Sequence, residues 1–324
     1  MTTSYRILSL SGGGVRGLMT AIWLNRLEQK LGSPLHQHFD LIAGTSTGAI
    51  IACALAVGKS TEEIVQLYRD RGREIFPPQP KQFFSRVTRV FSQGVDAPRY
   101  DGQGLEKVLR DEFKDDRFES LKVHTLITSY DLLHREALVL KTNKPEHQPL
   151  LVWQVAKASA SAPVYFPAQL LTLAGEPIAV IDGGVVANNP TACAIAEAVR
   201  LNSGLAPEAQ TSLAEFVVAS FGTGEITQPI TVRQSQEWGA LGWVIPLIDV
   251  LFDGSADSVD YIARQLLEEA NYFRFQTPVR EANPAIDDAS PKNIADLTRI
   301  AERYLDDEAD ALLDRLVQAL QKVD

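Results

Sequence analysis

Residues 39–57 read FDLIAGTSTGAIIACALAV, and this stretch decides the fold class. Phe39 to Ala43 reads as a strand, Gly44-Thr45-Ser46-Thr47-Gly48 interrupts it, and Ala49 to Val57 follows as an apolar helix. A buried strand that passes through a tight glycine turn straight into a helix is the opening of a β-α-β unit, whose strands run parallel. The same rhythm is written at the N-terminus. There YRILSL (Tyr5 to Leu10) reads as a strand and SGGGVRG (Ser11 to Gly17) as a break; Leu18, Ile22, Leu27 and Leu31 then recur at helical spacing up to a stop at Gly32. The two units together predict an α/β fold with parallel strands.

Working outward, Ser60 and Glu63 form a capping-box pattern that opens a helix over Thr61 to Arg73. From Pro77 to Tyr100 the text turns proline-rich and then basic-aromatic (KQFFSRVTRVF), as a surface segment would. A helix is expected over Gly104 to Glu112, strands over Val123 to Ser129 and Ala137 to Leu140, and a helix over Trp153 to Ser159. Ile178 to Ile181 is a strand ending at Asp182-Gly183-Gly184, a helix begins near Pro190 or Thr191, and Glu215 to Ser220 is a strand broken by Gly222-Thr223-Gly224. Beyond Glu225 helices dominate, clearest over Val259 to Ala270 and Asn293 to Val323, and strand signals nearly vanish. A boundary there divides an α/β unit, 1–225, from a helical C-terminal extension, 226–324, expected to pack on the same domain.

Composition excludes several classes. The chain has 324 residues, 45% of them hydrophobic, enough for a sizeable core. A formal charge of −10 argues against nucleic acid as a partner, because phosphate attraction needs a basic face. The two cysteines, Cys53 and Cys193, sit in apolar helical contexts without a CxxC spacing and read as buried thiols, not as metal or redox groups. Met1 to Leu10 lacks the basic region, apolar run and cleavage site of a secretory signal, and no apolar run reaches membrane-spanning length, so a cytoplasmic location is expected.

The chemistry is concentrated at the glycine turns. G-x-S-x-G between a strand and a helix places Ser46 on a strained bend, with Gly44 and Gly48 leaving room for the backbone and for substrate. The helix that follows offers unpaired N–H groups to a developing oxyanion. Gly12, Gly13 and Gly14 can point further backbone N–H groups at that oxygen, and Arg16 can steady the loop or the charge. The same loop also fits a different class. Gly12, Gly14 and Gly17 satisfy the G-x-G-x-x-G pattern of a nucleotide-binding protein, which requires a carboxylate at the end of the second strand to hold the ribose. Asp40 lies near the beginning of that strand instead, and Gly44-Thr45-Ser46 stands where the carboxylate belongs.

A serine hydroxyl needs a neighbour to take its proton. His36, His38, His124, His134 and His147 all precede residue 148, and none stands at a strand end beside a glycine turn. The order serine, acid, histidine leaves His134 open as a triad member. Asp182, directly after an apolar strand and before two glycines, is expected at the sheet edge where Ser46 emerges; its alternative is a silent Asp-Gly turn.

Taken in order, Gly12-Gly13-Gly14-Val15-Arg16-Gly17, Gly44-Thr45-Ser46-Thr47-Gly48 and Asp182-Gly183-Gly184 resemble the patatin-like phospholipases. The likeness extends to ASASAPVYFPA (Ala158 to Ala168) and SFGTG (Ser220 to Gly224), about two-thirds of the chain; one departure is Ser11, where many members carry Asp. The resemblance implies a three-layer α/β/α sandwich with a mostly parallel central sheet. It further implies a Ser46–Asp182 dyad without histidine, and hydrolysis of lipid acyl esters with neither metal nor organic cofactor. An acyltransferase using the same dyad is the nearest alternative. The partner is then a membrane or micellar lipid, reached by peripheral contact. Two segments read as an apolar entrance: Lys81 to Phe91, as an interfacial helix, and Trp238 to Phe252, each with ordinary core packing as the alternative.

Overall fold

The computed structural model describes residues 4–78, 97–206 and 209–322. The segment Lys81 to Phe91 lies outside the described residues. In chain order β1 (Arg6–Leu10) leads through a 3₁₀ turn into α1 (Gly17–Leu31), and β2 (Leu41–Gly44) leads into α2 (Thr47–Val57) and then α3 (Thr61–Ile75). Next come α4 (Gln103–Phe113), β3 (His124–Asp131), β4 (Glu136–Lys141), α5 (Val152–Ala160), β5 (Gln169–Leu173) and β6 (Glu176–Asp182). The short α6 (Gly184–Ala187), α7 (Thr191–Ser203), β7 (Val217–Phe221), β8 (Glu225–Ile226) and α8 (Val232–Glu237) follow. The chain finishes with α9 (Ala240–Leu266), β9 (Tyr272–Phe275), β10 (Pro278–Val279), α10 (Pro291–Tyr304) and α11 (Asp310–Gln321).

Local chemistry sets the boundaries. α1 stops where Gly32 turns left-handed at φ 74° and its N–H closes on the Glu28 carbonyl. α3 starts with the reciprocal capping box read from the sequence: Glu63 N–H donates to Ser60 Oγ, and Ser60 N–H donates to Glu63 Oε2 at 2.8 Å. The central strands are buried on both faces, and alternate residues enter two separate cores. Leu8, Leu10 and Ile42 join the core beneath α1 and α2, whereas Ile7, Leu41 and Ala43 join one with Ala194 and Ile195 of α7 and Ala263 of α9. That alternation makes the molecule a three-layer α/β/α sandwich.

The sheet runs in the order β5-β6-β3-β2-β1-β7-β9, with β4 also paired to β3. The run from β3 through β9 is parallel, but β4 and β6 are antiparallel to β3, and β5 is antiparallel to β6. Two features depart from the sequence reading. β9, four residues (YFRF) beyond position 225, extends the central sheet next to β7. A strand this short, with a charged residue inside it and helices on either side, leaves too brief a period-2 signal to read. The segment after Trp238 is one long helix, α9, of 27 residues with Pro246 inside it, where the sequence reading placed a clear helix only from Val259.

The C-terminal helices are held to α1 by specific contacts. Trp23 Nε1 donates to the Ala301 carbonyl at 3.1 Å, and Lys30 bridges Asp310 and Asp314 at 2.9 and 2.6 Å. Among the described residues no helix is long and apolar enough to cross a membrane.

Candidate active site

The register of β3 brings the site together. β4 pairs with β3 from Leu126 to Asp131, so it fills one edge of that strand. β2, paired over 124–127, and β6, paired over 129–131, must therefore share the other edge, since a strand has only two. β2 ends with Gly44 opposite Ile127, and antiparallel β6 comes in from the far side and ends with Asp182 opposite Ser129. The two strands meet almost end to end. Ser46, two residues past Gly44, thus stands at the level of Asp182 although 136 positions separate them. The expectation of a shared sheet edge holds in place but not in cause: Asp182 arrives on an antiparallel strand, not at the carboxyl end of a parallel one.

Ser46 Oγ donates to Asp182 Oδ2 at 2.6 Å. The serine sits at φ 55°, ψ −122°, a left-handed conformation that costs a non-glycine residue on the order of 1–3 kcal/mol and that aims its hydroxyl off the sheet. Two glycines make this bend fit. A Cβ at Gly44 would lie 2.4 Å from the Gly48 carbonyl, and one at Gly48 would lie 2.1 Å from the Leu10 carbonyl, so the turn packs directly against the end of β1. The Ser46 N–H donates to Ser159 Oγ at 2.8 Å, which anchors the elbow from the start of the ASASAPVYFPA segment. Asp182 is fully buried, and burial pushes its carboxyl up to about 7, with the Ser46 hydroxyl and the Gly184 N–H at 2.7 Å holding it down only in part.

The glycine loop divides its groups among different tasks. The Gly12 N–H is committed to the Asn188 carbonyl at 3.0 Å, so it is not available to an oxyanion. No acceptor among the described residues takes the N–H of Gly13 or Gly14, and both adopt positive φ, 158° and 59°. Arg16 is buried and braces the loop, its guanidinium reaching the carbonyls of Gly13 and Gly224, each at 3.4 Å. Of the four loop residues read as an oxyanion hole, Gly13 and Gly14 keep N–H groups without an acceptor among the described residues, whereas the Gly12 N–H and the Arg16 guanidinium are bonded within the protein.

Other candidates fall away. Asp40 accepts the Arg6 N–H at 2.7 Å, at the start of β1 and so at the opposite end of the sheet from the glycine loop. No ribose-holding carboxylate ends β2, and the nucleotide reading loses its anchor. His134 is exposed, and its Nδ1 faces Asp131 Oδ2 at 2.7 Å. Among the described residues no histidine bonds Ser46 or Asp182. Nor is any group of three or more His, Cys, Asp or Glu arranged to hold a metal ion.

An apolar cleft opens beside the serine, bounded by Gly14, Thr47, Tyr68, Phe76, Phe166 and Ile286. Sequence reading missed Tyr68 and Ile286. Tyr68 looks like one more apolar position on α3, yet its hydroxyl bonds Thr47 Oγ1 next to Ser46. Ile286 comes from a loop 240 positions beyond Ser46, and its carbonyl receives the Val15 N–H at 2.8 Å, closing the cleft over the glycine loop. No local signal in that loop points to the site.

With this geometry in place, the likeness to known proteins can be placed on the fold. Residues 8–195 match the family model described as patatin-like phospholipase. The chain belongs to the patatin-like phospholipase family. The matched span runs from β1 into α7 and so includes the glycine loop, Ser46 and Asp182. The rice (Oryza sativa subsp. indica) protein named patatin-like protein 2 is 29% identical over 339 residues, covering 93% of this chain and 83% of its own length. A Pseudomonas aeruginosa protein named cGAMP-activated phospholipase is 34% identical over 280 residues, covering 84% of this chain and 78% of its own. The chain is thus a serine ester hydrolase of a lipid-degrading family.

Proposed function

We propose that this patatin-like protein cleaves fatty acyl esters of membrane lipids through Ser46 and Asp182 alone, by way of an acyl-enzyme. The observation that carries the reading is the 2.6 Å bond from Ser46 Oγ to a carboxylate whose burial raises it to about 7. An ordinary aspartate, near 3.9, is a poor base toward an alcohol; one near 7 is matched to neutral pH. In the first half-reaction Asp182 takes the hydroxyl proton while Ser46 Oγ attacks the ester carbonyl. The oxyanion is received by the N–H groups of Gly13 and Gly14, and collapse returns the proton to the departing alcohol. Water then attacks the acyl-serine with Asp182 again as base; collapse breaks the bond to Ser46 Oγ, which takes the proton back from Asp182, and the fatty acid leaves. The acyl chain takes the apolar cleft beside Tyr68 and Phe166. The direct test is mass spectrometry of products from a mixed lipid panel. Free fatty acid and the deacylated lipid are expected with wild type and absent with Ser46→Ala; equal release by both would reject the nucleophile.

We further read one face of α9 as the contact with the lipid surface. Ile248 and Phe252 are buried, and Phe252 packs against Gly184, two residues from Asp182. Leu247, Val250 and Leu251 on the same turns are each more than 40% exposed. This part of Trp238 to Phe252 therefore combines the two uses read from the sequence, core on one side and apolar surface on the other. Burying a leucine is worth about 1.5–3 kcal/mol when complete, so Leu247→Asp/Leu251→Asp is expected to weaken vesicle binding by roughly tenfold or more. Flotation with phosphatidylcholine vesicles measures this, and flotation equal to wild type would remove α9 from the contact.

A further inference from the structure

One position on the buried face of α3 carries no side chain. Ile64, Val65, Tyr68, Gly72 and Ile75 are all buried and recur at the spacing of a single helix face. Tyr68, Gly72 and Ile75 from that face, with Phe76 just past the helix end, line the apolar cleft. Tyr68 marks the end of the cleft at Ser46, since its hydroxyl bonds Thr47 Oγ1. Gly72 lies one turn further along, roughly 6 Å up the helix axis, and Phe76 lies a turn beyond that.

Neither the backbone nor the packing calls for glycine at this place. Gly72 stands inside a helix, where glycine is the least favourable residue after proline, and it is not among the glycines with positive φ. Among the described residues, a Cβ built on it would meet only Ala289 Cβ, at an ordinary contact distance of 3.4 Å. Gly104 of α4 is the contrast: a Cβ there would fall 1.9 Å from the Glu74 carbonyl oxygen, so the close approach of α4 to α3 accounts for that glycine. At Gly72 the room left by the missing side chain is internal, because the residue is buried, and it belongs to the cleft.

The wall facing Gly72 is held in place. Ala289 and Ile286, both buried, sit on the loop that precedes α10. The Ile286 carbonyl takes the Val15 N–H at 2.8 Å, and Asp287 Oδ2 accepts the Tyr100 hydroxyl at 2.7 Å and pairs with Arg99 Nη1 at 2.8 Å. The Asp288 carbonyl takes Asn293 Nδ2 at 2.8 Å, and Asp288 Oδ1 takes the Ser290 N–H at 3.0 Å. A loop tied at successive residues gives way little to added bulk, so a side chain at position 72 occupies the cleft and does not widen it.

We propose that Gly72 determines how long an acyl chain the cleft accepts, by keeping open the passage between the Ser46 end at Tyr68 and the aromatic end at Phe76. The inference rests on the acyl-enzyme reading above and adds to it a residue that sets chain-length specificity. A butyryl group on Ser46 ends near Tyr68, whereas a decanoyl group has to pass Gly72 to reach Phe76.

The test compares kcat/KM for p-nitrophenyl butyrate and p-nitrophenyl decanoate in the same detergent, using wild type, Gly72→Ala and Gly72→Leu, with circular dichroism to establish folding. Gly72→Leu is expected to lower the ratio of decanoate to butyrate by roughly tenfold or more, and Gly72→Ala by about threefold, because each methylene's worth of lost room is felt in a packed apolar site. Damage to the fold would move both esters alike and leave the ratio unchanged. Gly72→Ala, whose methyl group fits at an ordinary contact distance, carries the test by itself if the leucine variant does not fold. A ratio within twofold of wild type in the folded variants overturns the assignment. Failure of the underlying reading looks different: Ser46→Ala would then still hydrolyse p-nitrophenyl butyrate.

Discussion

Ser46→Ala and Asp182→Asn are each expected to reduce kcat for ester hydrolysis by about 10³-fold or more while the protein stays folded. Ser46→Ala removes the attacking oxygen and leaves the Ser159 contact intact, because that contact uses the backbone N–H of residue 46. Alanine at φ 55° carries the same backbone strain as serine, so the elbow is not reshaped. Asp182→Asn is the sharper case. It preserves size and hydrogen-bonding reach toward Ser46 and the Gly184 N–H, and it removes only the capacity to accept a proton. What survives is the contribution of Gly13, Gly14 and substrate binding. Steady-state rates on a soluble ester, with circular dichroism and thermal melts alongside, make the measurement. A folded Asp182→Asn with near wild-type kcat would show that another group is the base.

The second large effect is the pH dependence of both rate and stability. Asp182 acts as a base only when ionised, so kcat/KM is expected to fall about tenfold per pH unit below about 7 and to level off above it. Stability moves the opposite way. A carboxyl near 3.9 in the unfolded chain and about 7 in the folded one leaves the native state holding the extra proton between those values. Stability from this group is therefore fully present below about pH 3.9 and is lost as pH rises through about 7. The loss is at most on the order of 4 kcal/mol, about three pKa units at 1.36 kcal/mol each. Asp182→Asn has no such charge to bury and is expected to melt above wild type at pH 8, with the gap closing toward pH 4. A melting difference that does not change with pH would mean the aspartate titrates normally. The inactive variant is thus expected to be the more stable one at the pH where wild type works, a trade that active sites make when they hold a reactive charge away from water.

The parts of this protein that were legible in the sequence are those encoded within one turn of chain. The strand-glycine-helix passages at Ser11 to Gly17 and Gly44 to Gly48 are written in consecutive residues and mark sharp turns through glycine's freedom, although the atoms that leave no room for a Cβ at Gly48 belong to the end of β1. The capping box at Ser60 and the stop at Gly32 are local for the same kind of reason. Ser46 and Asp182 could be singled out individually, each by its own few neighbours.

What only the tertiary structure decided is everything that depends on which edge of which strand a segment occupies. Periodicity reports that Ile178 to Ile181 is a strand, but the direction of β6 follows from the edge of β3 left open where β2 ends, which is a property of the assembled sheet. The same holds for β9, recruited to β7 from the far end of the chain, and for Ile286, which covers the cleft. It holds for Gly12 as well, whose N–H goes to the carbonyl of Asn188, 176 positions away. By itself the sequence determined the turn geometry, the place of Ser46 on its bend and the α/β class with parallel strands, because sterics and hydrogen bonding within a few residues suffice for those. The pairing of serine with aspartate, the elevated basicity of that aspartate and the apolar cleft beside it were decided by long-range packing, because burial and contact belong to segments that meet only after the chain has folded.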